Sequence, residues 1–380
     1  MRYIAPYVVR DLGKKMVFIG GPRQVGKTTL ALAVLDQYFP SGRYFNWDFD
    51  EDRRAILKKQ WRQDNTLLIF DELHKFSRWK QWIKGIYDIT GSRHSILITG
   101  SARLDVYRRG GDSLMGRYHY WRLHPFTLDE LPDSIGQEEA FDRLMTMGGF
   151  PEPFLVGDER EARRWRKERF DRVIREDIRD LEGVHDLQTL HLLLDLLRER
   201  VGSTIVIANI AEDLQVAHKT VKRWLDVLER MYLIFVVRPY VRSGPRSVLK
   251  RPKVYFFDNG DVLGDEGARF ENLVACSLLK RIHFLEDREG YRYQLCYIRD
   301  KDGREVDFAV VKDGVPQELI EVKYSDEKIS RGLRYYATRL KPLRAVQIVA
   351  TIKNPYDEKD VSVVGPLDYL STPPWENIQL

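Results

Sequence analysis

Residues 14–28 read KKMVFIGGPRQVGKT, an apolar run that halts at two glycines and resumes, after four residues, as Gly26-Lys27-Thr28. Residues 14–20 carry the consecutive apolar side chains of a buried strand. Residues 28–38 (TTLALAVLDQY) return to a spacing of three and four, which predicts a helix burying Leu30, Val34 and Leu35. Between them, Gly21, Gly26, Lys27 and Thr28 fill the fixed positions of G-x-x-x-x-G-K-[ST]. Glycine lets backbone amides point at phosphate oxygens, and the helix start adds the positive end of its dipole. The lysine ammonium then reaches the outer phosphates and the threonine hydroxyl ligates magnesium. Gly21, Pro22, Arg23, Gln24, Val25, Gly26, Lys27, Thr28 and Thr29 are therefore the expected loop for ATP and Mg2+.

Residues 66–70 (TLLIF) form a second apolar run that ends in Asp71-Glu72. Carboxylates at the C-terminal end of a central parallel strand stand beside such a loop. Asp71 is expected to hold the magnesium shell and Glu72 to polarise the attacking water. A third run, residues 95–99 (SILIT), ends at Gly100-Ser101. A polar residue at that strand end senses the γ-phosphate in this class of enzyme, so Ser101 takes that role, with Thr99 as the lesser candidate. Met115-Gly116-Arg117 brings an arginine that could neutralise transition-state charge, in cis or from a neighbouring subunit, which leaves a homo-oligomer open. A surface ion pair is the competing reading of Arg117.

Bulk properties bound the rest. A chain of 380 residues with 43% hydrophobic content has material for several cores. Apolar runs such as residues 233–237 are far too short to span a bilayer, and the first fifteen residues lack a secretory stretch, so a cytoplasmic protein with no membrane partner is expected. Cys276 and Cys296 read as packing residues rather than as a disulfide or metal pair.

Five segments carry a family resemblance: GPRQVGKTTL, LLIFDELHKFSRWKQWIK, ILITGSA, MGRYHYWRLHPFTLDEL and GGFPEP. Together they resemble the AAA-type ATPases of archaea and bacteria whose C-terminal half looks like a restriction-endonuclease-like domain of unknown function. The resemblance implies ATP binding and a three-layer α/β core. Gly149-Phe150-Pro151 also resembles the Gly-x-Pro element of the signalling branch, where the proline packs near adenine, which adds Pro151 to the nucleotide contacts. A proline opening a helix is the rival reading.

From residue 136 to 200 the pattern turns helical, with Leu190, Leu193, Leu194 and Leu197 on one stripe, as expected of a lid and connector. Residues 209–231 read as two helices across a short turn, followed by strands at 232–240 and 253–257, the order of a winged helix-turn-helix. Between residues 217 and 253 ten Lys or Arg stand against two acids, a local excess larger than the net +5 of the whole chain. His218, Lys219, Lys222 and Arg223 on the second helix, with Arg242 and Arg246 on the wing, are expected to meet DNA phosphates. A solvated basic face or a protein contact competes with that reading.

In the C-terminal part, residues 269–280 (RFENLVACSLLK) predict a helix carrying Glu271, and residues 291–299 and 305–311 a hairpin with a further strand at 318–324. Glu321 and Lys323 are two apart and share a face, which Asp307 on the paired strand can reach. Carboxylates at Glu271, Asp307 and Glu321 with the Lys323 ammonium suit one or two magnesium ions and a metal-bound hydroxide. Helix Glu, hairpin Asp and strand Glu-x-Lys in that order resemble the PD-(D/E)xK nucleases, although Val306 stands where a proline often does. The expected chain is thus α/β and multidomain: an ATPase core at 1–135, a helical lid at 136–200, a winged helix at 201–258, a nuclease-like domain at 259–360 and a tail at 361–380. Two functions remain open, a nucleotide-switched DNA enzyme and a signalling or scaffold ATPase that binds partners without cleaving them.

Overall fold

A computed structural model describes residues 2–90, 93–100, 114–132, 134–179, 184, 186–241 and 251–373. Ser101, Arg242 and Arg246 lie outside the described residues. The chain divides into two compact units, Met1–His124 and Pro125–Leu380.

In the first unit, strands β1 (Met16–Gly20), β2 (Arg43–Asn46), β3 (Leu67–Asp71), β4 (Ser95–Thr99) and β5 (Tyr118–Arg122) form one sheet in the order β2-β3-β4-β1-β5. Every neighbouring pair is parallel. Burial of every residue in β1 and β3 explains why their sequences run apolar without alternation. One face packs Phe18, Phe45, Phe70 and Ile98 against Ile56, Trp79 and Ile83 from helices Asp50–Lys58 and Trp79–Thr90. Helices Ala5–Leu12 and Lys27–Tyr38 pack against β1, β3 and β4 to complete three layers. Leu30 and Val34 are buried as expected, whereas Leu35 is only half-buried, its place in the core being taken by Ala31.

The second unit begins with helices Gln137–Thr146, Pro151–Val156, Glu159–Arg172 and Leu187–Arg198, the last burying all four of its expected leucines. Helices Ile207–Asp213 and His218–Arg230 then lead into β6 (Ile234–Pro239) and β7 (Lys253–Phe256), an antiparallel pair. The following helix, Glu266–Glu289, is twice the expected length; the Asp265 side chain caps its start and Gly290, in the left-handed region, ends it. Strands β8 (Tyr293–Arg299), β9 (Glu305–Lys312), β10 (Val315–Lys323), β11 (Arg344–Val349), β12 (Tyr356–Glu358) and β13 (Val361–Val364) complete the unit with helices Arg331–Leu340 and Pro366–Leu370. Residues 361–370, expected as a tail, instead supply a sheet strand and a helix with Tyr369 and Leu370 buried.

The strand order is β12-β13-β11-β10-β9-β8-β6-β7. Strand β6 pairs in parallel with β8, Arg238 opposite Cys296 and Pro239 opposite Tyr297. The sheet therefore runs across the boundary expected at residue 258. Both cysteines are free thiols. Among the described residues no helix is long and apolar enough to cross a membrane.

Candidate functional site: a phosphate loop and an acid-lysine cluster

The loop after β1 takes three backbone conformations with positive φ, at Gly21 (141°), Gln24 (61°) and Gly26 (94°). A side chain at Gly21 is excluded twice: the conformation disfavours it, and a Cβ there would meet the Leu123 carbonyl oxygen at 2.3 Å. Gly26 opens helix Lys27–Tyr38, whose first amides face the loop. The buried Lys27 ammonium donates to the carbonyls of Gly21 (3.1 Å) and Pro22 (2.6 Å). Arg2 holds the loop from behind by donating to the Val25 carbonyl at 2.9 Å.

Asp71 ends β3, one strand removed from β1. Its carboxylate accepts from the Thr28 hydroxyl at 2.7 Å, from Tyr44 at 2.8 Å and from Thr99. Thr99, weighed only as a sensor, thus orients the acid, and Tyr44 is a partner that the motifs did not announce. Glu72 adopts a left-handed backbone (φ 57°), held by its amide bonding to the Thr99 carbonyl. Burial raises the Glu72 carboxyl above its ordinary range, opposed by Lys75, 3.3 Å away, and by Lys27. A carboxylate raised in this way is a better proton acceptor at neutral pH.

Arg117 and Pro151 are the other described candidates for this loop. The Arg117 carbonyl accepts from the Met16 amide, which puts it at the start of β1, about 13 Å of strand from Gly20. Its guanidinium pairs with Asp88 at 2.8 Å, so it does not serve the loop of its own chain. Pro151 is the first residue of helix Pro151–Val156 in the second unit.

In the second unit, β9 and β10 are antiparallel with Ile320 opposite Phe308. The next pair along, Glu321 and Asp307, therefore shares one face, and Lys323 follows on it. Asp307 Oδ2 accepts from the Val322 amide (2.9 Å), and Lys323 Nζ lies 2.7 Å from Glu321 Oε1. Glu271 reaches the same place from helix Glu266–Glu289, accepting from the Tyr255 hydroxyl at 2.6 Å. Gly202, with φ 75°, gives the turn before it close passage over the Glu271 carboxylate.

Three participants went unread in the sequence. Lys253, at the start of β7 and 2% exposed, puts its ammonium 2.7 Å from Glu305, 3.5 Å from Glu271 and 3.5 Å from Asp307. Glu305 is two residues before Asp307 and shares its face, a spacing that could have flagged it. Tyr255 shares the face of Lys253 by the same rule. One expectation is corrected here: Lys253 was counted with the basic wing, but it turns inward to neutralise carboxylates.

Burial, with Asp307 next, pushes both Glu271 and Glu321 up to about 7; Lys253 and Tyr255 oppose this at Glu271 and Lys323 opposes it at Glu321. Burial alone would depress the Lys253 ammonium, but Glu271, Asp307 and Glu305 outweigh it and the net shift is upward. A carboxyl raised from the ordinary 4.5 binds more protons folded than unfolded. Its contribution to stability is complete below about 4.5 and is lost as pH climbs through about 7. In EDTA the melting temperature is expected to fall by roughly 5 °C between pH 5 and pH 8, less steeply in Glu321→Gln. Calorimetry at several pH values measures it, and a melting temperature that rises over this interval contradicts the assignment.

Lys219, Lys222 and Arg223 are exposed along one face of helix His218–Arg230, with Val221, Trp224, Leu225 and Leu228 buried on the other. Asp226 shares the exposed face. Three of the expected nucleic-acid contacts therefore stand together on one surface.

Comparison with known proteins divides the chain into three stretches. Residues 13–132 match the family model described as AAA domain. Residues 138–262 and 266–370 match two models described as domains of unknown function, DUF8612 and DUF4143. An uncharacterized protein of Methanocaldococcus jannaschii is 24% identical over 372 residues, covering 88% of this chain and 81% of its own length. One of Mycobacterium tuberculosis is 24% identical over 380 residues, covering 94% and 81%. Among solved structures, the Thermotoga maritima RuvB Holliday junction branch migration motor is 17% identical, with a TM-score of 0.30, covering 66% of this chain and 88% of that one. The stretch 13–132 thus joins P-loop geometry to a match with the AAA domain model, a similarity that points to nucleotide binding.

Proposed function

We propose that this chain is a magnesium-dependent ATPase whose second unit handles DNA, with nucleotide state controlling access to the acid-lysine cluster. The observation that carries the ATPase half is the 2.7 Å bond between Thr28 and Asp71, which sets a hydroxyl and a carboxylate side by side at the mouth of the glycine loop. These are the two oxygens that would hold magnesium, which supplies charge neutralisation at the phosphates. Lys27 binds the outer phosphates, the loop amides orient them, and Glu72 accepts a proton from the attacking water. Ser101 is assigned to γ-phosphate sensing and Pro151 to the adenine side on sequence pattern. Arg117, placed away from its own loop, would act only from a neighbouring subunit in a homo-oligomer.

For the second unit, two helices followed by the β6-β7 hairpin support a winged-helix reading, and Lys219, Lys222 and Arg223 supply phosphate contacts. Arg242 and Arg246 join them on sequence alone. Asp307 and Glu321, with Glu271 behind them, support a site for a hard divalent cation that would provide a hydroxide nucleophile. Lys323 positions the water and offsets charge on the phosphorane.

A nicking assay on branched and linear DNA tests this reading. Wild type is expected to nick in Mg2+ and not in EDTA, and Asp307→Ala and Lys323→Ala to lose about 100-fold. Alanine at Lys219, Lys222 and Arg223 together is expected to weaken binding and reduce the salt slope by about 3. Cleavage indifferent to Asp307 and Lys323, or a gel shift indifferent to the triple variant, overturns the corresponding part. The scaffold reading keeps one observation of its own: Lys253 already neutralises Glu271, Glu305 and Asp307, so the cluster is compatible with a binding role. DNA binding without cleavage would favour it.

A further inference from the structure

Within the acid-lysine cluster the oxygens divide into two groups. Glu305 Oε1, Glu271 Oε1 and Asp307 Oδ1 all face the Lys253 ammonium within 3.5 Å. The outer oxygen of Glu305 also faces the half-exposed Arg299 at 3.4 Å. On the β10 side, Lys323 engages only one oxygen of Glu321. The other, Oε2, is buried in a residue only 5% exposed and accepts no hydrogen bond of normal geometry, although the Ser330 hydroxyl lies near enough to the carboxyl to favour its charged form. A carboxylate oxygen so weakly compensated at that depth calls for a ligand. Among the described residues no three His, Cys, Asp or Glu side chains converge closely enough to cage an ion unaided. Magnesium does not need a cage: one or two carboxylates suffice, the remaining positions being water.

We propose that the cluster takes one divalent cation rather than two, at Asp307 and Glu321, because the Lys253 ammonium permanently fills the second cation position between Glu271, Glu305 and Asp307. This rests on the metal-site reading above and deepens it. The fixed cation comes from β7, so the hairpin that follows helix His218–Arg230 supplies a structural part of the cluster. Lys253 is a positioning residue: it sets how the three carboxylates divide between an internal and an external charge. Replacing it by an apolar group of similar length leaves three facing carboxylates, and such an arrangement recruits a cation.

Counting bound Mn2+ by electron paramagnetic resonance, on nucleotide-free full-length chain, tests this. The reference is Asp307→Asn with Glu321→Gln, which subtracts ions held elsewhere, Asp71 included. Above that reference, wild type and Lys253→Arg are expected to bind one ion and Lys253→Met two. Adding Glu271→Gln to Lys253→Met relieves the repulsion and is expected to return the count to one, which keeps the test open if the single variant folds poorly. Two ions in wild type, or one in Lys253→Met, overturn the role of Lys253 while leaving a metal site in place. No ion in wild type with one in Lys253→Met means that the ammonium excludes the metal altogether, and the one-ion statement is wrong. Counts equal to the reference in every variant remove the metal-site reading itself.

Discussion

Glu72→Gln is expected to bind ATP with nearly unchanged affinity while turnover falls by about 10²- to 10⁴-fold, the range of general acid-base contributions. The substitution keeps the shape of the side chain and removes the acceptor. The Lys27 ammonium is held by the Gly21 and Pro22 carbonyls, which the substitution leaves in place, so ground-state binding has little reason to change. Its left-handed backbone and the amide bond to the Thr99 carbonyl aim the side chain independently of its charge. Phosphate release under saturating ATP, paired with calorimetry of nucleotide binding, separates the two quantities. Turnover within a few-fold of wild type would move the proton acceptor elsewhere.

Lys27→Ala acts at the earlier step. Its ammonium is buried and bonded to Gly21 and Pro22, so alanine leaves those carbonyls and the incoming phosphate charge without their common donor. Hydrogen bonds to a charged group contribute about 1.5–3 kcal/mol each, and two of them correspond to about 10²- to 10⁴-fold in affinity. Calorimetric titration with ATP and Mg2+ is expected to register no binding at micromolar protein. Affinity equal to wild type would overturn the assignment of the loop.

The two sites were legible to different degrees because their signals have different ranges. The glycine loop is a local code: Gly21, Gly26, Lys27 and Thr28 are close in sequence and their geometry follows from backbone conformations that few residues allow. Asp71 was readable because a wholly apolar run has to sit inside a parallel sheet, and its end then faces the loop. Tyr44 was not, since its role depends on which strand pairs with β3. In the second unit, Asp307, Glu321 and Lys323 follow from alternation along two adjacent strands. Lys253 eluded the same logic because a lysine ahead of an apolar strand reads as a solvated end, and only pairing between distant segments sets it among carboxylates. Arg117 was open to two readings, and the structure shows it at the start of β1 in the surface ion pair with Asp88 that was one of them.

The β6-β8 pairing carries a practical consequence for dissecting the protein. The family models divide the second unit between residues 262 and 266, a natural place to cut. A fragment starting there would lose β6 and β7, expose β8 as a new edge, and strand Glu271, Glu305 and Asp307 without their ammonium. Unprotected edges invite intermolecular pairing, and uncompensated carboxylates resist burial. Truncations that respect the chain's architecture therefore begin near residue 125, and a shorter C-terminal piece that aggregates would report on the scissors rather than on the chemistry of the cluster.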